Sequence, residues 1–188
     1  MKIFFDTEFT GLHKNTTLIS IGLVADDGRK FYAEMTDYDR GQLNPWLKEN
    51  VIGNLMRQED DNTPEDAYPD WYYSGSIEFI RPKLLRWLDE FDYVEWVSDV
   101  AHYDFVLLID LLFKDAISMG NAGYPAVCYD INNDIAVFRG ISIDEAFDLS
   151  REDILEANGV VLTEVVKHNA LYDAEVIRAI YNIIHCEI

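Results

Sequence analysis

Cysteine is scarce in this chain of 188 residues, which contains only Cys128 and Cys186. The two lie far apart and form no Cys-x-x-Cys pair, a usage that fits reduced thiols in a cytoplasmic protein. Long hydrophobic runs are also missing, since the longest, residues 105–113, is interrupted by Asp110 and falls far short of the ~20 residues that span a bilayer. The N-terminus lacks the basic, hydrophobic and small-residue segments of a signal peptide. We therefore expect no membrane segment, no export and a cytoplasmic location.

Positive charge is the other scarce property. The chain has 15 Lys and Arg residues against 35 Asp and Glu residues, which gives a formal net charge of −20. A protein that binds a long stretch of nucleic acid normally has a basic surface, because phosphate neutralisation supplies much of the affinity. The partner is therefore either not a nucleic acid, or a short end of one that is held with the help of metal ions.

Apolar side chains are plentiful, at 49% of the total, and support one folded domain over residues 1–188. Residues 3–5 are all apolar and predict a strand buried on both faces. The branched apolar run at residues 18–25 and the alternating residues 29–36 predict two more strands, and the Asp-Asp-Gly turn at residues 26–28 joins them as an antiparallel hairpin. The domain is thus expected to open with three strands.

Helical periods then alternate with short apolar segments. Helices are predicted over residues 42–56, 76–91, 105–113 and 170–184, and strands over residues 93–98 and 126–130. The first of these helices is expected to bury one face, formed by Trp46, Leu47, Val51 and Leu55. Pro82 is expected in or near the first turn of its helix, and Ser142 and Ser150 each begin a capping-box pattern. The order of strands and helices predicts an α/β fold, a mixed sheet flanked by helices.

An irregular region is predicted between the first two helices. Residues 58–68 are polar and loop-like, and the aromatic residues Trp71, Tyr72 and Tyr73 follow them. Packing of these rings onto the core is favoured over stacking on bases, because aromatic side chains are usually buried.

Asp6 and Glu8 close the first predicted strand. In an extended chain residues i and i+2 point to the same side, so the two side chains begin about 7 Å apart. Such a pair can hold a hard cation, but a solvated strand end would show the same residues. The choice depends on whether the fold brings other acids and a proton-transfer group to the same place.

Two later segments carry such groups at the start of predicted helices. One contains Asp99 and Asp104, and the other contains His168 and Asp173. Carboxylates at these junctions lie at the carboxyl edge of the sheet, where open α/β sheets bind ligands. On an ideal helix His168 and Asp173 would lie about 140° apart, so His168 must precede the helix if both are to face one site. Asp99 and Asp104 both remain candidates for the third acid.

These segments resemble the three exonuclease motifs of the DEDDh superfamily, whose fold is RNase H-like. The resembling features are Asp6-x-Glu8, an aspartate after the fourth predicted strand, and His168 ahead of Asp173. The resemblance covers nearly the whole chain, and its pattern of an aromatic residue, Asp and an apolar helix favours Asp104 over Asp99.

Within the superfamily, residues 5–9 and 18–22 resemble the RNase AS-like bacterial 3′-to-5′ exoribonucleases. Proofreading exonucleases often carry Thr at the position of Phe9 and usually carry Glu at the position of Ser20. Both differences argue against the proofreading branch. Asn169 stands where the tyrosine-type branch carries Tyr, which favours histidine chemistry.

The resemblance implies a two-metal site with a histidine base. Two Mg²⁺ or Mn²⁺ ions would be held by four carboxylates, those of Asp6, Glu8, Asp104 and Asp173. His168 would act as general base. The substrate-binding residues would come from the loop that follows, namely Phe9, Thr10, Gly11 and Leu12, with ordinary packing as the alternative for Phe9 and Leu12.

The implied function is a metal-dependent 3′-to-5′ exoribonuclease that removes nucleoside monophosphates from single-stranded RNA 3′ ends, with a preference for adenylate. A 3′-to-5′ exodeoxyribonuclease on single-stranded DNA is the alternative enzyme, because no residue visibly reads a 2′-hydroxyl. A non-catalytic binding module with a nuclease fold is the alternative of another class. A homodimer is implied only through the resemblance.

Overall fold

The strand β1 (Lys2–Phe9) lies inside a six-stranded mixed sheet in the computed structural model, which describes residues 1–57, 68–162 and 166–185. The other strands of this sheet are β2 (Leu18–Ala25), β3 (Lys30–Met35), β4 (Tyr72–Gly75), β5 (Glu95–Ser98) and β6 (Cys128–Asp130). Their order is β4-β3-β2-β1-β5-β6. The β1–β2 and β2–β3 pairs are antiparallel, and the other three pairs are parallel. The predicted α/β class and its mixed sheet are therefore confirmed.

Helices cover both faces of this sheet. Those in the described part of the chain are α1 (Pro45–Asn50), α2 (Ile77–Leu88), α3 (Ala101–Phe113), α4 (Ala116–Asn121), α5 (Asn132–Arg139), α6 (Ile143–Asp148), α7 (Arg151–Ala157) and α8 (Ala170–His185). None of them is both long and apolar enough to cross a lipid bilayer.

The apolar run in β1 contributes to two separate cores. Ile3 and Phe5 pack on one face with α2 and α3, whereas Phe4 packs on the other face with α8, where its ring contacts Tyr181. Successive side chains of a strand point to opposite faces, so an unbroken apolar run is the pattern of a strand covered on both sides. This position in the middle of the sheet holds the acidic end of β1 rigidly.

The strand β4 differs from the predicted irregular region. Tyr72 and Tyr73 belong to a short edge strand that pairs with β3, and a run of four residues is too short to show a clear alternation. Tyr72 is buried and Tyr73 packs against the core, as expected for the aromatic residues. The loop predicted over residues 58–68 lies, except for its last residue, outside the described residues.

The helix predicted over residues 42–56 is divided into a 3-10 turn at Arg40–Gln42, α1, and a second 3-10 turn at Ile52–Asn54. The Asn44 side chain caps α1, and a proline occupies the first position of the helix. Leu47 and Val51 are buried as predicted, but Trp46 is 51% exposed.

Other helix boundaries are closer to the prediction. Ser76 caps α2, so Pro82 lies one turn further into the helix than expected. The carbonyl that loses its partner to proline belongs to the exposed Glu78, where water can satisfy it. Ser142 forms a complete capping box at α6, and Ser150 caps α7. The helix α3 begins at Ala101, four residues earlier than predicted.

Candidate active site

The acidic end of β1 extends past its parallel neighbour. Pairing between β1 and β5 ends at the Phe4–Val97 pair, whereas pairing with β2 continues to Phe9. Asp6 and Glu8 therefore share one face of a strand whose β5 side is open to groups from other elements.

The start of α8 lies directly on β2 at Gly22. A Cβ atom at this position would be 2.3 Å from the Ala170 carbonyl oxygen and 2.3 Å from the Leu171 nitrogen, so only glycine permits this approach. Gly22 is the β2 partner of Asp6. The close approach therefore brings the first turn of α8, which carries Asp173, to the acidic end of β1.

Three carboxylates converge at this point. One oxygen atom from each of Asp6, Glu8 and Asp173 lies within 4.8 Å of the others. Among the residues that the structure describes, no lysine or arginine forms an ion pair with this trio. Crowded carboxylates without a cationic partner repel one another, and oxygen atoms of this kind are the ligands that Mg²⁺ and Mn²⁺ prefer. The residues thus fit a divalent metal site.

The proton affinity of these acids is raised. Burial raises the pKa of Asp6 and Glu8 well above the usual range, and the neighbouring carboxylates raise it further. Burial also raises the pKa of Asp104 to about 6 and the pKa of Asp173 to about 7. Cation binding and proton binding therefore compete at this cluster near neutral pH.

Asp104 approaches β1 from the opposite helix layer. Its Oδ1 atom accepts hydrogen bonds from the backbone N–H of Thr7 at 3.0 Å and from the Thr7 hydroxyl at 2.5 Å. Because β5 does not extend this far, the carboxylate takes the place of a strand partner for that N–H. Asp104 lies outside the trio, but its negative charge contributes to the raised pKa of Asp6.

Asp99, the other candidate for the third acid, is already paired. Arg151 donates to Asp99 Oδ2 at 2.5 Å and to Oδ1 at 2.7 Å, and the Asn132 amide donates to Oδ1 at 2.8 Å. This ion pair neutralises Asp99, whereas Asp104 has no cation bonded to it among the described residues. The contacts therefore favour Asp104, as the sequence pattern did.

His168 precedes α8 by two residues, which satisfies the geometric condition set by its spacing from Asp173. Its φ of +59° is uncommon for a residue other than glycine. This backbone places Nδ1 3.9 Å from Glu8 Oε1, and the backbone N–H of His168 partly offsets the raised pKa of Asp173. Burial, and then the charge of Lys167, lower the pKa of His168, so its neutral form is favoured at neutral pH.

Trp46 is a site neighbour that periodicity assigned to the core. Its ring meets the His168 ring edge-on, with centroids 4.9 Å apart. The Asn-Pro pair at residues 44–45 is the signal that could have located it, because a cap followed by proline begins α1 there. Because Leu47 faces the core, Trp46 points about 100° away from that direction around the helix axis, toward the surface.

The four residues predicted to bind substrate have different surroundings. Leu12 is 78% exposed, whereas Phe9 stacks on Tyr103 and packs against the core. Thr10 is buried, and its hydroxyl bonds to Gln42 and accepts from the backbone N–H of Thr17. The side chain of Thr10 therefore holds the loop together, and its place among the substrate contacts stays a prediction. Gly11 links this anchor to the exposed Leu12, and its N–H donates to Thr16.

A family comparison agrees with this geometry. Residues 1–185 match the family described as the 3′-5′ exoribonuclease Rv2179c-like domain. The chain belongs to this family. The 3′-5′ exoribonuclease Rv2179c of Mycobacterium tuberculosis is 34% identical over 111 residues, which are 59% of this chain and 61% of that protein. The match thus spans less than two thirds of the length of this relative.

Solved structures of nucleases share the fold. The nuclease domain of 3′hExo, a DEDDh family member bound to rAMP, has a TM-score of 0.61 at 14% identity, with 96% of this chain and 88% of that chain covered. The cell-death related nuclease CRN-4 has a TM-score of 0.58 at 12% identity, with 97% and 62% covered. Membership of the exoribonuclease family and the fold of the DEDDh nucleases confirm the resemblance read from the motifs.

Proposed function

We propose that this member of the exoribonuclease family is a metal-dependent 3′-to-5′ exoribonuclease that releases nucleoside monophosphates from single-stranded RNA. The observation that carries the proposal is the convergence of Asp6, Glu8 and Asp173 within 4.8 Å, with a histidine in contact. Family membership supports RNA as the substrate, and 3′hExo is a structural neighbour described with rAMP and with a histone mRNA stem-loop. An adenylate preference is the finer part of the proposal.

The metal ligands are Asp6, Glu8, Asp173 and, from the opposite helix layer, Asp104. When bound, two Mg²⁺ or Mn²⁺ ions supply positive charge that stabilises the attacking and leaving oxygens of an in-line displacement at phosphorus. The loop at Leu12 is exposed, and Asp6, Glu8 and Asp173 are each only partly buried, so a chain end can reach these acids.

His168 supplies the base in this proposal. Its neutral imidazole accepts a proton from the water that attacks the terminal phosphodiester, while the bond from phosphorus to the 3′ oxygen of the preceding nucleotide breaks. That oxygen takes up a proton to become the new 3′-hydroxyl, and the released nucleotide keeps the phosphate on its 5′ carbon. The lowered pKa of His168 keeps the accepting form available at neutral pH.

The terminal base lies between Leu12 and Trp46 in this proposal. Both side chains are exposed, and the contact of Trp46 with His168 places its ring next to the base catalyst. Base stacking on aromatic side chains tolerates any base. Specificity for adenine therefore needs polar contacts in addition to this pair.

The proposed activity is tested with purified protein, Mg²⁺ and 5′-labelled RNA and DNA of matched sequence, together with an oligoadenylate. A ladder that shortens from the 3′ end of RNA, with release of 5′-mononucleotides, is expected. RNA that ends in a 3′-phosphate is the matched control. Ladders with DNA alone would establish the exodeoxyribonuclease, and binding without any ladder would establish the non-catalytic module.

Substitution of Trp46 by alanine is expected to raise KM for RNA by roughly tenfold, which is the loss of one base–aromatic stack of ~1–3 kcal/mol. The Trp46→Phe variant keeps a ring in place and is expected to keep most of the affinity. Steady-state kinetics on a short oligoadenylate measure both. A fall in kcat at constant KM would instead mean that Trp46 only supports the His168 ring.

The metal-free protein is expected to lose stability as pH rises from about 5 to about 7.5. The folded pKa values of Asp104, about 6, and Asp173, about 7, lie above those of an unfolded chain, so the folded protein binds more protons in this window. As these protons are lost on raising the pH, the carboxylates of the cluster become charged and repel one another. Mg²⁺ at pH 7.5 should raise the melting temperature by roughly 5 °C or more.

Thermal denaturation in chelator and in Mg²⁺ checks this expectation. The Asp6→Asn variant should flatten the pH dependence, whereas Asp110→Asn, which removes an exposed carboxylate of α3, should leave the slope nearly unchanged. An equal effect of the two variants would assign the slope to the overall net charge and not to the cluster.

Three further expectations stay predictions: a single domain over residues 1–188, a cytoplasmic location and a homodimer. Light scattering of the purified protein tests the last. Cys128 is a free thiol in the structure, while Cys186 lies outside the described residues.

A further inference from the structure

Among the residues that the structure describes, the proposed chemistry leaves one buried carboxylate without a role. Glu34 lies on β3 and is 3% exposed. The strand register aligns it with Ser20 of β2, which in turn aligns with Glu8 of β1, so it shares a sheet face with the acidic cluster two strands away. Burial of a carboxylate requires compensating hydrogen bonds, so the partners of Glu34 indicate what it organises.

All partners of Glu34 are donors. Oε1 accepts from the Tyr32 hydroxyl at 3.0 Å and from the Met56 N–H at 2.6 Å, and Oε2 accepts from the Tyr72 hydroxyl at 2.8 Å and from the Arg57 N–H at 3.3 Å. Burial raises the pKa of Glu34, and these four donors oppose that shift. An ionised carboxylate accepts from every donor, whereas a protonated one would place its own hydrogen against one of them.

The direction of these bonds extends to the segment that carries His168. Because the Tyr32 hydroxyl donates its hydrogen bond to Glu34, a lone pair of its oxygen is free to accept one from Asn169 Nδ2 at 3.2 Å. The same Nδ2 donates to the Asn54 carbonyl at 2.9 Å. Both contacts require the nitrogen of the Asn169 amide to face β3, so its oxygen must face the helix.

That oxygen caps α8. Asn169 Oδ1 accepts from the backbone N–H groups of Leu171 at 3.1 Å and Tyr172 at 3.3 Å. The Asn169 carbonyl accepts from the N–H of Asp173 at 3.0 Å. The orientation of one amide thus determines how the helix begins, and His168 is the residue immediately before it.

A second path reaches the same segment through the backbone. Glu34 holds the N–H groups of residues 56 and 57, and two residues earlier Asn54 donates from Nδ2 to the Lys167 carbonyl at 2.7 Å. Asn54 therefore bonds to the residues on both sides of His168, Lys167 by its amide and Asn169 by its carbonyl. The left-handed backbone of His168 is held between these two anchors.

We propose that Glu34 is a positioning residue for His168, acting through Tyr32 and Asn169 and through the segment at residues 54–57. The inference rests on the proposed function, in which His168 is the general base. Glu34 is not among the residues to which the proposed function assigns metal or substrate. The Glu34 carboxylate sets the direction of the hydrogen bonds that run through Tyr32 to Asn169, the residue next to His168. Displacement of His168 is expected to lower kcat more than it weakens substrate binding.

Two tyrosines that donate to the same carboxylate provide the test. Tyr32→Phe removes the one hydroxyl that connects Glu34 to Asn169 in the described part of the chain, and it is expected to lower kcat by roughly 10- to 100-fold at nearly constant KM. Tyr72→Phe removes the other hydroxyl and is expected to leave kcat within about twofold, because Tyr72 donates to Glu34 but has no bond to Asn169. Both variants lose one hydroxyl that donates to Glu34, and Tyr32→Phe also loses the bond from Asn169, so its melting temperature should fall as far as that of Tyr72→Phe or slightly further.

A double-mutant cycle with His168→Ala separates positioning from general destabilisation. In the His168→Ala background, Tyr32→Phe is expected to cause no further fall in kcat, because the group that it positions is gone. Independent, multiplicative losses would overturn the inference. Asn169→Ser keeps a capping side chain but does not reach Tyr32, so it should repeat the loss in kcat if Tyr32→Phe does not fold. Full activity of His168→Ala would contradict the proposed function itself, whereas an inactive His168→Ala with a normal Tyr32→Phe would contradict only the role of Glu34.

Discussion

Asp6→Asn is expected to abolish RNA hydrolysis in Mg²⁺, with a fall in kcat of more than ~10³-fold, because groups that act as a unit lose nearly all activity when one is removed. One oxygen atom of Asp6 lies within 4.8 Å of an oxygen atom of Glu8, on the same strand, and of one of Asp173, on α8. The amide keeps the shape of the side chain but removes a negative ligand. Single-turnover hydrolysis of labelled oligoadenylate measures the loss.

The same Asp6→Asn substitution should keep or raise thermal stability while it abolishes activity. The raised pKa of Asp6 means that its charge is costly in the metal-free fold, so Asp6→Asn is expected to melt at or above the wild-type temperature in chelator. Asp110→Asn is the matched control and should keep full activity. An active Asp6→Asn protein would show that the Asp6 carboxylate is not needed for the reaction. An unfolded Asp6→Asn protein would mean that this carboxylate is needed for folding.

His168→Ala is expected to lower kcat by ~10²–10⁴-fold, the usual contribution of a positioned general base. The affinity for Mn²⁺ should remain within about twofold, since the trio of Asp6, Glu8 and Asp173 does not include this histidine. Calorimetric titration of Mn²⁺ into the variant and a rate measurement on the same preparation check both parts.

His102→Ala is the matched control for this experiment. His102 is an exposed histidine on α3, close in sequence to Asp104, and its removal should leave the rate unchanged. A lost Mn²⁺ affinity in His168→Ala would make His168 a metal ligand. Equal losses of rate in His168→Ala and His102→Ala would contradict a specific catalytic role of His168.

Local features of the candidate site were predictable from the sequence. The two-residue period of a strand places Asp6 and Glu8 on one face, and the register confirms that β1 continues through both. The angular spacing of a helix requires His168 to precede it, and α8 begins two residues later. Such features depend on a few consecutive residues, so their geometry is encoded by backbone period alone.

Long-range pairing required the tertiary structure. The family pattern favoured Asp104 over Asp99 without showing what either residue contacts, and the fold bonds Asp99 to Arg151 while Asp104 bonds to Thr7. These partners are 52 and 97 residues away from their aspartates. Nothing in the local pattern of an acid tells which distant donor will reach it.

The sequence by itself determined the family motifs, the N-terminal hairpin, the helix caps and the side of β1 that carries the acids. Only the tertiary structure decided that Gly22 admits the start of α8, that Trp46 faces His168, and that a buried Glu34 is bonded to the segment before α8. The physical reason is that periodicity records which side chains avoid water. The close contacts of a site depend on which surfaces meet when the helices pack onto the sheet.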